Sequence, residues 1–245
     1  MKVANGVETF ELTMNVMGTQ SVIHPTLIWD TDTVILVDTG IPRQLEAISE
    51  AMEKLGVPFS RLSKIIITHQ DVDHIGSLKE ILRASNNKIE VIAHVAEKPY
   101  IEGEKPIIKM SPEVISKLFK GLPEEQRKQA GVKFLDSLKS KIDRTVVDGE
   151  IIPCCGGITV IFTPGHTPGH ICLYLNESKI LIAGDMLNFE NGQLIGSHPE
   201  HAFDKSAALE SLKKFTQFDI EKVICYHGGL VKDNINQRIA ELATL

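Results

Sequence analysis

The chain reads as an α/β protein in which two β-sheets pack face to face and helices cover their outer sides. Three features predict this. Strands and helices alternate along the 245 residues. Several strands are almost wholly apolar, as strands covered on both faces must be. The second half also repeats the plan of the first, on a period far too long for a solenoid.

The first half opens with a strand-turn-strand unit over 26–40, TLIWDTDTVILVDTG, with β-branched runs on either side of an Asp/Thr turn. A helix follows: Pro42 suits its first turn, Leu45, Ile48, Met52 and Leu55 share one face, and Gly56 stops it. KIIITH at 64–69 is then a short apolar strand ending on a histidine. In the second half ICLYLNESKILIAGD at 171–185 is again strand-turn-strand and again closes on aspartate. A helical segment with Leu209, Leu212 and Phe215 leads to KVICYH at 222–227, which again ends on histidine. Asp38 and Asp185, and His69 and His227, therefore stand at matching points of a degenerate ββαβ duplication.

Between the halves, 97–144 has a different character. It is rich in Lys and Glu, Ser111 and Pro112 form a helix-start signal, and Val114, Ile115, Leu118 and Phe119 make an apolar stripe. We read it as a helical insertion within one domain spanning 1–245. It either packs on the core or walls a site, with Tyr100, Met110, Leu118 and Phe119 set to cover an apolar part of a substrate. The stripe leaves a homodimer open.

With 26 Lys+Arg against 32 Asp+Glu, the formal charge is −6 and no basic block occurs, which argues against a nucleic-acid partner. No stretch approaches the roughly 18 apolar residues that a membrane span needs. The start, MKVANGVETFELTMNV, lacks the apolar core of a secretory signal. Cys154, Cys155, Cys172 and Cys225 show no CxxC spacing and read as reduced thiols, so a cytoplasmic location is expected.

The chemistry gathers at strand ends. THQDVDH places His69, Asp71, Asp73 and His74 directly after one strand, and TPGHTPGH places His166 and His170 after another. Asp185 follows ILIAG, and His227 follows KVICY. Side chains on loops held by rigid strands are how open metal sites are assembled. A helical metalloprotease motif would set its histidines at i and i+4. Here His69 and His74 stand at i and i+5 with carboxylates between, which suits a loop around a cation pair. Imidazoles bind zinc, iron and manganese, and carboxylates bridge cations. Two ions about 3.5–4 Å apart can share a hydroxide that is nucleophilic at neutral pH. His24, His94, His198 and His201 stand beside no second motif and read as ordinary core or surface groups. No GKS or GKT follows the glycines of TPGHTPGH, which read as turn formers and not as a phosphate cradle.

Taken together, HQDVDH, TPGHTPGH, AGD and the late His-Gly resemble the metallo-β-lactamase superfamily of metallohydrolases, over roughly residues 10–240. The resemblance implies a four-layer αββα sandwich with a dinuclear site at one edge of the two sheets. It implies that His69, Asp71 and His166 hold one metal ion, that Asp73, His74 and His227 hold a second, and that Asp185 bridges them. Asp38 matches an acid that orients the ligand loop from behind; the family binds metal through the first histidine of TPGHTPGH, so His170 is read as fixing the loop or supporting a ligand from behind. Asp73 and Asp185 are the expected catalytic carboxylates, Asp73 guiding the proton of the attacking water.

One position departs from the family pattern. The common motif is His-x-His-x-Asp-His, and Asp71 stands at its second histidine. Two dications facing two carboxylates and a hydroxide keep one positive charge; Asp71 cancels it, so bound water is acidified less. Oxygen ligation also shifts preference from zinc toward manganese or ferrous iron. A carboxylate occurs at this position in flavodiiron proteins, so a diiron oxidoreductase is the alternative, although the chain has no room for their flavodoxin domain. A metal-binding member without activity is the third reading. Only 18 residues follow His227, too few for the glutathione-binding domain of glyoxalase II enzymes. Asn188 replaces the tyrosine of acyl-homoserine lactonases. The expectation is a hydrolase with two divalent ions, zinc first with manganese or iron next because of Asp71, that cleaves an ester-like bond, such as a lactone or thioester, of a small molecule.

Overall fold

Apolar strands such as KIII make sense only if both of their faces are covered, and the architecture does cover them. The computed structural model describes residues 1–16 and 18–244. The first half contributes β1 (Lys2–Ala4), β2 (Val7–Thr9), a separate hairpin of β3 (Leu12–Val16) and β4 (Thr19–Ile23), β5 (Thr26–Trp29), β6 (Val34–Val37), β7 (Lys64–Ile67), β8 (Glu90–His94) and β9 (Arg144–Val146). Apart from the hairpin they form one sheet, ordered β1-β2-β5-β6-β7-β8-β9. The second half contributes β10 (Ile151–Ile152), β11 (Ile158–Phe162), β12 (Ile171–Leu175), β13 (Ile180–Ile182), a hairpin of β14 (Leu187–Glu190) and β15 (Gln193–Gly196), β16 (Lys222–Cys225) and β17 (Gly229–Val231). Its sheet is ordered β10-β11-β12-β13-β16-β17.

The duplication is visible in the pairing. β5 and β6 are antiparallel, α1 (Leu45–Lys54) crosses over, and β7 returns parallel to β6. β12 and β13 are antiparallel as well, and β16 returns parallel to β13. Parallel neighbours need such a crossover.

Alternation along each strand then sorts residues into layers. Ile66, Ile35 and Val37 face Ile171, Leu173, Ile182 and Ile224 between the sheets. Ile65, Ile67 and Leu36 face outward, onto Ile48 and Met52 of α1 and onto Leu78 and Ile81 of α3 (Leu78–Ala84), which follows the short α2 (Val72–Ile75). On the other side Cys172, Val223 and Cys225 pack against helical residues including Leu212 and Ile239. The order is helix, sheet, sheet, helix.

Two local expectations are corrected. Helix α1 begins at Leu45, past Pro42, because Gln44 turns its side chain back to accept from Ile41 N at 2.9 Å and donate to Thr13 O at 2.8 Å. The segment 97–144 contains α4 (Lys98–Ile101), α5 (Pro112–Leu118) and α6 (Glu124–Leu138), and ends in the sheet as β9 begins. Ser111 does cap α5, accepting from Val114 N at 3.3 Å. The stripe on α5 is not a buried face, however: none of its residues is buried, and Phe119 meets Phe134 edge to face. Ile101, Ile107 and Leu138 supply the apolar contact with the core instead.

Ile66 is fully buried between the sheets. Ile66→Ala is expected to lower unfolding free energy by about 2–5 kcal/mol in urea titration, whereas exposed Ile151→Ala changes it by less than about 0.5 kcal/mol.

Candidate metal centre

The site lies where the matching strand ends of the two halves meet. Asp38 follows β6 with φ of +61° and is buried. Its Oδ1 accepts from Thr68 N at 2.9 Å, and its Oδ2 accepts from Thr68 Oγ1 and pairs with His74 Nδ1, both at 2.8 Å. That contact turns His74 Nε2 inward. His69 Nδ1 lies 3.0 Å from Thr68 Oγ1, and His166 Nδ1 lies 2.8 Å from Ser197 Oγ, so their Nε2 atoms are turned inward in the same way. His170 belongs to neither donor set. Its Nδ1 meets Thr163 Oγ1 at 2.8 Å, and its Nε2 accepts the Asp185 amide at 3.1 Å. Gly184 must be glycine: φ is +51°, and a Cβ would come 2.7 Å from His170 Nε2.

Two donor sets result. His69, Asp71, His166 and Asp185 each offer an atom within 4.8 Å of the others, and so do Asp73, His74 and His227. Asp185 spans the two. Its Oδ1 is 3.2 Å from His74 Nε2, and its Oδ2 is 3.3 Å from His166 Nε2 and 3.5 Å from His227 Nε2. Asp71 Oδ2 lies 3.2 Å from His69 Nε2 and 3.1 Å from His166 Nε2. Nε2 of His69 and His74 and Oδ1 of Asp71 and Asp185 are buried without a hydrogen-bond partner among the described residues. Native interiors rarely strand polar atoms this way, and converging imidazole and carboxylate lone pairs are the donor set that a divalent cation satisfies. The residues fit two such ions.

The electrostatics are those of charges held out of water. Burial, with His74 beside it, pushes His69 down to about 4. Burial works against the His227 imidazolium, but Asp185 and Asp73 outweigh it and lift His227 to about 10. His74 is raised for the same reason, chiefly by Asp185 and Asp38. Burial alone would raise Asp71, yet His69, His166 and Lys109 hold it well below the carboxylate range.

A cavity of about 500 Å³ opens onto Asp71, Asp73, His166, Asp185 and His227. His198 and His201, read from sequence as ordinary groups, line it together with buried Asn188. His24 and His94 are engaged elsewhere: His24 Nδ1 meets Tyr226 O at 3.1 Å, and His94 stacks on Phe162 at 4.2 Å. Tyr100 and Met110 line a different cavity, and Leu118 and Phe119 are absent from this one; the substrate-covering role expected for all four is withdrawn. Lys109 is the residue of that segment that lines the cavity.

Sequence reasoning also missed Glu97. It is fully buried, and its carboxylate accepts from Gln70 N, Thr167 Oγ1 and Gly169 N at 2.7–2.8 Å, tying the two histidine loops together. Burial raises its pKa against these hydrogen bonds. Its place at the start of a polar segment carried no signal of this.

A model of the metallo-beta-lactamase superfamily matches residues 18–227. The chain belongs to that superfamily. A probable metallo-hydrolase, YflN of Bacillus subtilis, is 29% identical over 226 residues, covering 85% of this chain and 81% of that one. The metallo-beta-lactamase fold-containing protein ST1585 of Sulfurisphaera tokodaii is 26% identical, covering 82% of this chain and 70% of its own. The crystal structure of TTHA1429 from Thermus thermophilus superposes with a TM-score of 0.71 at 24% identity, covering 98% of this chain and 79% of that one, and shows the shared fold. No helix among the described residues is long and apolar enough to cross a membrane.

An amide in place of the Glu97 carboxylate would point N–H groups at N–H donors, so Glu97→Gln is expected to destabilise the fold by about 1–3 kcal/mol in urea titration. In chelator-treated protein, His69 is lowered, so the unfolded chain takes its proton first and stability falls as pH drops from 6.5 toward about 4. His227 is raised, so its contribution is full below 6.5 and is lost as pH rises through about 10. Thermal melts across this range should peak near pH 6.5, and His227→Ala should flatten the alkaline arm.

Proposed function

We propose that the chain is a hydrolase that works with two divalent cations and cleaves an ester-like bond, a lactone or thioester, of a small molecule. The observation that carries this reading is the pair of donor sets spanned by Asp185, with buried lone pairs converging at the floor of a cavity. His69, Asp71 and His166 would hold one ion, Asp73, His74 and His227 the other, and Asp185 would touch both. Zinc suits the imidazoles, and Asp71 adds affinity for manganese or iron. When bound, such ions supply an acidified water and Lewis-acid stabilisation of a developing oxyanion.

The chain's own groups divide the remaining work. Asp73 is partly exposed, faces the cavity and lies 3.3 Å from His227 Nε2, so it can hold the proton of the attacking water. Asp38 keeps His74 from rotating, and His170 keeps Asp185 in place through its amide. Asn188 and His201, which line the cavity, offer hydrogen bonds to the polar part of a substrate. An atrochrysone carboxyl ACP thioesterase of Aspergillus fumigatus is 23% identical over 212 residues, which span half of that protein; its thioester bond is of the proposed class.

Metal content by plasma mass spectrometry, combined with turnover on a panel of lactones and thioesters, tests the proposal. About two equivalents and hydrolysis are expected, with His166→Ala and Asp73→Ala each lowering kcat/KM at least about 100-fold, or ~2.7 kcal/mol. Full turnover in both variants would overturn it. Iron with oxygen consumption would establish the diiron reading instead, and less than one equivalent without turnover the non-catalytic one.

A further inference from the structure

The segment between the two halves sends one cation into the centre. Lys109, on the loop between α4 and α5, places Nζ 2.5 Å from Asp71 Oδ2 and 2.6 Å from His166 Nε2. His166 Nδ1 is engaged by Ser197, so the lone pair facing the ammonium is the one a metal ion would use. A ligand bond to such an ion spans about 2.0–2.2 Å. An ammonium hydrogen-bonded to these two atoms and an ion ligated by them therefore claim the same space, and their charges repel.

The approach of the loop is built. Gln70, next to Asp71, accepts the Ile108 N–H on Oε1 at 2.9 Å, while its own amide groups donate to buried Glu97. The backbone beside Lys109 is thus latched to the motif that carries Asp71. Its side chain is 30% exposed, so it has room to withdraw toward the cavity mouth. The second set has no such competitor: among the described residues no lysine or arginine pairs with Asp73.

We propose, resting on the dinuclear reading above, that Lys109 is a tethered cation competing with the ion of the first set. That set then loads after the second and more weakly. Asp71 is what makes the competition effective, because a neutral histidine at 71 would not hold an ammonium against His166.

Zinc titration of metal-stripped full-length protein against a chromophoric chelator at fixed pH tests this. Wild type is expected to bind two equivalents, one of them weaker. Lys109→Met should tighten the weaker one by at least about tenfold and leave the tighter one unchanged. Lys109→Arg, which keeps the charge, should stay near wild type. In an Asp71→His background Lys109→Met should change the weaker affinity less than about threefold. The proposal falls if Lys109→Met binds no more tightly than wild type, or if Lys109→Arg behaves like Lys109→Met. His166→Ala separates the two levels. If it loses one equivalent while Lys109→Met matches wild type, only the lysine inference fails; if it binds as many ions as wild type, the dinuclear reading fails and the lysine inference with it.

Discussion

Asp185 lies within reach of both histidine sets at once, and that contact ties the two halves of the chain together at one edge. Its carboxylate comes from the second half, off the end of β13, yet it stands 3.2 Å from His74 and 3.8 Å from His69 of the first. A displacement of one sheet against the other by an ångström would lose one set or the other. The apolar layer between the sheets resists such sliding because its side chains interdigitate at the density of a crystal. Polar ties repeat the constraint near the site itself. Ile171 N donates to Thr68 O at 3.1 Å, joining the strand that follows one histidine loop to the residue that begins the other.

This rigidity also explains how so many buried polar atoms are tolerated. Imidazoles and carboxylates buried without partners cost several kcal/mol, a cost that turning toward water or pairing with each other would relieve. Here each outer nitrogen of His69, His74 and His166 is engaged, so the inner nitrogens cannot turn away from the centre. The cost is distributed over the fold and is recoverable by whatever satisfies the inner lone pairs. Stability and ligand binding at this centre are therefore the same free energy seen from two sides.

The fold, and the placing of histidines and aspartates at strand ends, were legible from local pattern, whereas their sorting into two sets around Asp185 came only through the family resemblance. Two-faced apolar strands such as KIII and KVIC announce a covered sheet, and histidines or aspartates immediately after them are carried to its edge by strand geometry alone. Glu97 and Lys109 were not legible for the converse reason. Each sits in a polar, helix-rich stretch where nothing distinguishes it from a solvated neighbour, and each acts through a contact with residues 27 to 72 positions away in sequence. The apolar stripe of α5 misled in the opposite direction: at this edge Ile107 and Leu138 already cover the core, so helical periodicity there buries little.

Aspartate at position 71 looks, from the motif alone, like the loss of a ligand. In the folded chain it is one half of an exchange. A histidine contributes a lone pair and no charge; Asp71 contributes a lone pair and a negative charge, and Lys109 brings a positive one to the same oxygen. The pair together is as neutral as the imidazole it stands in for, so the net field across the cavity changes less than the single substitution suggests. The difference is that an imidazole is fixed, whereas the lysine side chain has room to move, held close by its own contacts with Asp71 and His166 and by the Gln70 latch at Ile108. Reading residue 71 without residue 109 would therefore misjudge both the charge of the centre and its freedom to change.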